Sequence, residues 1–240
     1  MEAKFKEVLP MFRKARAAEG AQTVPWHQTF AVGIIMSMLG GYLEAYTYTL
    51  RGNVFCNGQT SNIALMMINF FRGNTAKALY YPIPILAFFF GTVFATLLRR
   101  HRFKLRWARV EMLIFSLEFA LLFIVGFIPQ GAGDTVVNIL VTFTTAVQYE
   151  VFREARGLSY ASIFCTGNLR TAAEYFAAFV GERDRKAGAT CARYLMIIGA
   201  FAVGAFASAW LSTLWNVRSA WVGCLLLLAI IPLMLRSRRA

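Results

Sequence analysis

The chain has 240 residues, of which 58% are hydrophobic and 15% are charged, and its mean hydropathy is +0.53. An average soluble chain carries about 25% charged residues, so this composition predicts a membrane protein and excludes a separate soluble domain. The formal net charge of +13 does not indicate nucleic-acid binding, because the cations stand between or beside apolar runs. We expect these cations to orient the chain in the bilayer and to meet lipid headgroups.

Six segments are apolar over about 20 residues, the length that a helix needs to cross a bilayer. In chain order they are approximately 30–50, 79–98, 110–128, 135–152, 191–213 and 218–235. Two further segments, about 55–71 and 160–179, are only moderately apolar and contain the polar strings Thr60-Ser61-Asn62 and Thr166-Gly167-Asn168. The sequence therefore predicts an all-α polytopic protein with six transmembrane helices and two re-entrant or broken helices.

Positive charge predicts the orientation. Three basic clusters are expected on the cytoplasmic side: the N-terminal arm 1–29, the loop 99–109 and the tail 236–240. The stretch 129–134 has no cation and is expected outside. Both termini are then cytoplasmic, and segments 55–71 and 160–179 each return to the side on which they start. Full crossing by both segments is the alternative, but it would place the basic loop outside.

The two polar strings lie 106 residues apart, and an acid stands 16 residues before each threonine, at Glu44 and Glu150. This order predicts two repeats, residues 30–128 and 135–235. Because each repeat crosses the membrane three times, the second is expected to be inverted relative to the first. An alternative alignment on Arg51-Gly52 and Arg156-Gly157 needs a one-residue gap and unpairs the two acids.

At these residues the chain resembles the YoaK-like family of bacterial inner-membrane proteins, which is functionally uncharacterised. The first-half pattern is Gly40-Gly41-Tyr42-Leu43-Glu44, then Phe55 and the first string; the second is Gln148 to Arg153, then Thr166-Gly167-Asn168-Leu169-Arg170. Glu44 replaces the aspartate expected in the family, and Ser61 replaces a glycine. The resemblance implies the bacterial inner (cytoplasmic) membrane and six or seven spans, and it names no substrate.

Each polar string precedes a helix-like run, which is typical of a helix N-cap. Free N–H groups and the dipole at a helix start favour an anion or the oxygen of a polar solute. The candidate substrate-binding residues are Thr60, Ser61, Asn62, Thr166, Gly167, Asn168, Gln148 and Arg170. The alternative is that the strings only cap and crosslink helices, and that Arg170 pairs with Glu174 four residues later.

Three acids in or near the spans, Glu44, Glu118 and Glu150, are candidates for proton coupling. A charged carboxylate is costly inside a membrane, so such acids usually face a cavity or a partner. For Glu118 the alternative is a neutral, hydrogen-bonded acid, and for Glu150 it is an ion pair near the membrane surface.

The sequence favours a transporter or channel for a small polar or anionic solute, and the alternative is a non-transporting membrane scaffold or regulator. An enzyme is not expected, because the four cysteines and two histidines form no metal-binding spacing and no nucleophile–base pair is visible. No catalytic residue, metal or cofactor is therefore predicted. The expected partners are the lipid bilayer and the small solute, without nucleic acid, and homo-oligomer formation is left open.

Overall fold

The computed structural model describes residues 28–100, 107–152, 154–155, 158–160 and 162–237. Residues 1–27 of the basic arm, 101–106 of the basic loop and 238–240 of the tail lie outside the described residues. The helices are α1 (Phe30–Leu50), α2 (Gln59–Phe71), α3 (Thr75–Ala78), α4 (Pro82–Arg100), α5 (Trp107–Val125), α6 (Asp134–Val151), α7 (Cys165–Glu182), α8 (Arg185–Trp215), α9 (Ala220–Leu228) and α10 (Ile231–Ser237). The predicted all-α class is confirmed, with one added feature: β1 (Glu154–Ala155) and β2 (Leu158–Ser159) form a minimal antiparallel hairpin.

Local chemistry accounts for several helix ends. The Thr29 side chain accepts a hydrogen bond from the Val32 amide at 3.4 Å and so caps α1. Pro82 opens α4, where its missing N–H leaves no hydrogen bond unmade. Asn216 has a φ of 51° and breaks the apolar run between α8 and a short 3-10 helix, Asn216–Ser219, that leads into α9.

Among the described residues, three helical stretches are long and apolar enough to cross a membrane: Phe30–Leu50, Thr75–Arg100 and Arg185–Met234. Met112–Val125 is a shorter apolar helix, and α6 is not in this set because its interior is rich in polar side chains. Large apolar side chains cover the outside, for example Phe206 at 74% exposure, whereas Asn62, Asn138 and Gln148 are buried. Apolar residues outside and polar residues inside are expected of a protein whose surroundings are lipid.

Two glycines bring α1 and α8 into close contact. A Cβ atom at Gly41 would collide with the Phe201 carbonyl, and a Cβ atom at Gly204 would collide with the Met38 carbonyl. The two helices run parallel, because the Tyr46 hydroxyl near the end of α1 donates to the Val217 carbonyl just beyond α8, at 3.1 Å. Small residues permit such close approach in lipid, where apolar burial between helices gains little.

Helices α4 and α6 form a second parallel pair. The Phe94 and Phe143 rings pack 5.6 Å apart, and Arg99 pairs with Glu150 at 3.5 Å, at the C-terminal ends of both helices. The first long helix of each predicted repeat thus packs on the second long helix of the other repeat, α1 on α8 and α6 on α4.

A buried arginine joins three helix ends at the opposite face of the molecule. Arg51, 0% exposed, donates to the carbonyls of Val125, Ile128 and Pro129, to the Tyr46 hydroxyl and to Asp134 at 3.0 Å. The ends of α1 and α5 and the start of α6 therefore lie together.

Both predicted re-entrant segments turn back within the molecule. Before α2, Asn57 bonds to the carbonyl of Gly40, which is 10 residues from the end of α1, or about 15 Å along its axis. After α2 the chain returns to the end of α1. The Tyr80 hydroxyl and the Arg51 carbonyl both accept hydrogen bonds from the side-chain amide of Asn138, so the two residues lie close together. Before α7, Ser162 and Ile163 also contact Gly40, and α7 then runs back along α8 until Phe179 meets Gly188.

We predict that Gly204→Ala lowers the free energy of unfolding by about 1–3 kcal/mol, the usual cost of overpacking. The new methyl group would strike the Met38 backbone, which cannot move aside as a flexible side chain would. Gly199→Ala on the same helix is the control, because a Cβ atom there meets open space. Unfolding in mixed micelles measures both variants, and equal stabilities would contradict the close crossing of α1 and α8.

Candidate functional site

The starts of α2 and α7 meet at one turn of α1. The Asn57 amide nitrogen donates to the Gly40 carbonyl at 3.0 Å. A Cβ atom on Gly40 would lie 2.9 Å from the Ser162 carbonyl oxygen and 3.1 Å from the Ile163 side chain. Glycine is required at position 40 because two chain segments approach its backbone.

The Glu44 carboxylate lies one turn further along α1 and covers the start of α2. It accepts the Asn57 backbone N–H at 2.6 Å and the Cys56 thiol at 3.4 Å, and its second oxygen lies beside Gly58. Gly58 is the N-cap residue of α2 and has no side chain for this purpose. The acid therefore supplies the negative group that a helix N-terminus attracts.

The start of α7 is arranged differently. Its N-cap residue, Phe164, makes no side-chain hydrogen bond, and Thr166 and Gly167 in the first turn are exposed. Cys165, the first residue of α7, interacts electrostatically with Glu44. One carboxylate thus lies close to the N-terminal ends of both half-helices.

Two buried carboxamides line the same stripe of α1. Gln148 of α6 donates to the Met36 carbonyl at 3.3 Å and to the Met36 sulfur at 3.2 Å, and Asn57 donates to the Gly40 carbonyl. Met36 and Gly40 are four residues apart, so their carbonyls lie on one face about 6 Å apart along the axis. Both side chains are 0% exposed.

The predicted string residues divide into two kinds. Thr60, Ser61, Thr166 and Gly167 are exposed, whereas Asn62 and Asn168 are buried at matching positions of α2 and α7. Asn62 accepts the Phe55 N–H at 3.0 Å and donates to the Phe55 carbonyl at 2.7 Å and to Gln59 at 2.9 Å. All its polar atoms are used to hold the descending loop against α2.

The prediction that the strings supply the helix N-caps is wrong. They lie in the first turn of each helix, and the cap positions are Gly58 and Phe164. The physical reason is that Glu44, from another helix, provides the carboxylate at the start of α2, so no local cap is required there.

The other predicted residues lie apart from Gly40. Glu118 on α5 is 1% exposed, and neither of its oxygens has a hydrogen-bond partner among the described residues. Glu150 is buried and pairs with Arg99 at 3.5 Å at the end of α6; Arg153, beside which the surface ion pair was expected, lies outside the described residues. Arg170 pairs with Glu174 at 3.0 Å, and both are well exposed.

Sequence reasoning missed Asn57, Ser162 and the role of Gly40. Asn57 stands in a run of small and polar residues, Cys56-Asn57-Gly58-Gln59, and such a run before an apolar helix signals a helix start. Nothing local identifies Ser162, whose position depends on the contact between Gly40 of α1 and the segment that leads into α7. Within the described residues no group of three or more His, Cys, Asp or Glu side chains could hold a metal ion.

The architecture defines an all-α protein with helices that could span a membrane. Two further helices, α2 and α7, start beside Gly40, near the middle of α1. A family described as "protein of unknown function (DUF1275)" matches residues 32–233, so the chain belongs to this family. DUF1275 is YoaK-like, which agrees with the resemblance found in the sequence. No curated protein and no solved structure matches the chain.

We predict that Asn62→Ala lowers the free energy of unfolding by an amount on the order of 2–6 kcal/mol, because it leaves the Phe55 N–H and C=O unpaired away from water. Thr60→Ala, in the same turn but exposed, should change stability by less than about 0.5 kcal/mol. Unfolding in mixed micelles compares the two variants. A stable Asn62→Ala protein would show that this side chain is not a clamp.

Proposed function

We propose that this protein is a membrane transporter or channel for a small polar solute, with its site where the starts of α2 and α7 meet on α1. The observation that carries this proposal is the convergence of both half-helix starts, Glu44 and two buried carboxamides around Gly40. Broken helices at the centre of a bilayer are found where backbone lines a binding site or a water-filled path.

The proposal includes an inverted repeat, which the pattern of helix contacts supports. In repeat 30–128 the long helices are α1, α4 and α5; in repeat 135–235 they are α6, α8 and the α9–α10 pair. Exchanging the repeats turns each main contact into another main contact: α1–α8 into α6–α4, α5–α6 into α9–α1, and α5–α9 into itself. Such exchange is expected of two units related by a two-fold axis. With three crossings in each repeat, that axis lies in the membrane plane. In this proposal the protein lies in the bacterial inner membrane, and both termini are on the cytoplasmic side.

Two ion pairs close the protein at opposite ends of the site. Arg51 and Asp134 join the repeats at the end predicted to face outside, through a buried network of hydrogen bonds. Arg99 and Glu150 join them at the other end by one partly exposed contact of 3.5 Å. Opening one end and then the other would give the solute access from either side of the membrane.

A scaffold without transport is the second candidate. It is favoured by Asn62, whose polar atoms are all used to hold the loop to α2. Stopped-flow light scattering of proteoliposomes mixed in turn with urea, guanidinium and nitrate measures the entry of each probe and separates the two candidates. Protein-dependent entry of at least one probe supports transport. Equal rates with and without protein for all three, together with loss of folding in Asn62→Ala, support the scaffold.

Glu44 is the proposed proton-coupling residue. Its carboxylate faces Cys56 on the descending loop and Cys165 on α7, and no basic residue is among its described contacts. Glu44→Gln keeps an oxygen for the Asn57 N–H and cannot titrate.

We predict that Glu44→Gln folds normally and transports with a rate that no longer depends on pH. Glu174→Gln, at an exposed position of α7, should keep the pH dependence of the parent. Flux into proteoliposomes at a series of pH values measures both. A pH profile unchanged by Glu44→Gln would exclude Glu44 as the proton carrier.

We predict that the variant Gln130→Cys, in which the four native cysteines are also replaced, reacts with an impermeant maleimide added to intact cells. Gln130 is exposed in the turn beside Arg51, at the end proposed to face outside. A cysteine at Arg100 should react only after the cells are opened. Labelling of position 100 in intact cells would overturn the proposed orientation.

A further inference from the structure

The centre of the proposed site has more hydrogen-bond acceptors than donors. Oδ1 of Asn57 and Oε1 of Gln148 are buried and have no hydrogen-bond partner among the described residues. The Ser162 hydroxyl, in the segment that contacts Gly40, is also buried and unpartnered there. A buried oxygen without a donor costs about 1–3 kcal/mol, so the two carboxamide oxygens favour a ligand that supplies donors, and the Ser162 hydroxyl can either donate or accept.

The orientation of both carboxamides is fixed by their neighbours. The Nδ2 group of Asn57 faces the Gly40 carbonyl at 3.0 Å, and the Nε2 group of Gln148 faces the Met36 carbonyl at 3.3 Å. Rotating either amide by half a turn would place two acceptor oxygens against each other, which is repulsive. The free atoms are therefore oxygens and not N–H groups.

The charge at this centre disfavours an anion. A helix start attracts anions, but the start of α2 is already covered by the Glu44 carboxylate, which also acts on Cys165 at the start of α7. The chain thus supplies its own anion to the two half-helices. A second negative charge would meet Glu44 and two acceptor oxygens.

We infer that the solute donates hydrogen bonds and carries no negative charge, and that Asn57 Oδ1 and Gln148 Oε1 are its acceptors. This inference rests on the proposed function and specifies the substrate class of the same site. Two kinds of solute share the required chemistry: small cations with N–H groups, and neutral molecules with N–H or O–H groups. The first would also be attracted by Glu44, whereas the second would depend on the carboxamides alone.

Three probes of similar planar shape test the inference. Guanidinium carries a positive charge and N–H donors, urea is neutral with N–H donors, and nitrate is negative with acceptors only. Protein-dependent entry into proteoliposomes is measured for each by stopped-flow light scattering. Ligand-induced thermal stabilisation of the detergent-solubilised protein gives a second readout that does not require transport.

The expected result is that guanidinium or urea enters faster than nitrate and stabilises the protein. Gln148→Met, which keeps the length of the side chain but removes its oxygen together with the nitrogen that donates to Met36, should slow the entry of the preferred probe at least about tenfold, since the solute loses one hydrogen bond of about 1.4 kcal/mol. Gln148→Glu keeps an acceptor oxygen and should retain entry of guanidinium. Gln130→Met, at an exposed position, is the matched control and should have no effect.

The outcomes distinguish the inference about the solute from the proposal that the protein is a transporter or channel. Guanidinium entry that is slower in Glu44→Gln than in the parent identifies a cationic solute, and urea entry at the parent rate identifies a neutral one; both support the inference. Nitrate entering faster than the other probes would overturn the inference and leave the transporter proposal standing. Absence of entry and of thermal stabilisation for all three probes would overturn both. Equal rates in Gln148→Met and the parent would remove Gln148 from the site.

Discussion

The structure depends on satisfying the start of a helix where no water is at hand. A buried backbone N–H that is left unpaired away from water costs several kcal/mol, and α2 and α7 both begin about halfway along α1. Glu44 meets this requirement for α2 from a neighbouring helix. The glycine at position 40 makes the arrangement sterically feasible, because any side chain there would displace the segment that leads into α7.

The same constraint explains why polar residues are concentrated inside and phenylalanines outside. The lipid-facing surfaces of α4 and α8 carry exposed phenylalanines such as Phe89, Phe90 and Phe206. The inner face of α6 instead carries Asn138, Thr142 and Gln148, each buried against α1 or its neighbours. A soluble protein would gain nothing from this distribution. In lipid it places the hydrogen-bonding groups where they can serve the two half-helices.

Stability and the proposed function are assigned to different buried carboxamide side chains. Asn62 has every polar atom engaged by the backbone of Phe55 and by Gln59, so its contribution is to hold the descending loop. Asn57 and Gln148 each use their amide nitrogen on α1 and keep an oxygen free among the described residues. The strings therefore position the site, and the proposed ligand contacts come from residues beside them.

The sequence by itself determined the helices, the membrane class and the two central breaks. Apolar runs of spanning length, cation clusters and the paired strings were sufficient for this, because hydropathy and charge act locally along the chain. The boundaries of α1, α2 and α6 agree with the predicted segments to within a few residues. Small residues at four-residue spacing, Ser37, Gly41 and Ala45 on α1 and Ala200, Gly204 and Ser208 on α8, also favour close helix contacts.

Only the tertiary structure decided which polar groups meet. Glu44 and Asn57 are 13 residues apart and belong to different elements, and Gln148 reaches α1 from 112 residues away. Local patterns do not contain these distances, so the caps were predicted at the polar strings, and Arg170 was left open between a ligand and a partner of Glu174. In the folded chain Arg170 pairs with Glu174 at the surface, and α1 supplies the cap for α2. Hydrogen bonds between distant segments are specified by packing, which local patterns do not record.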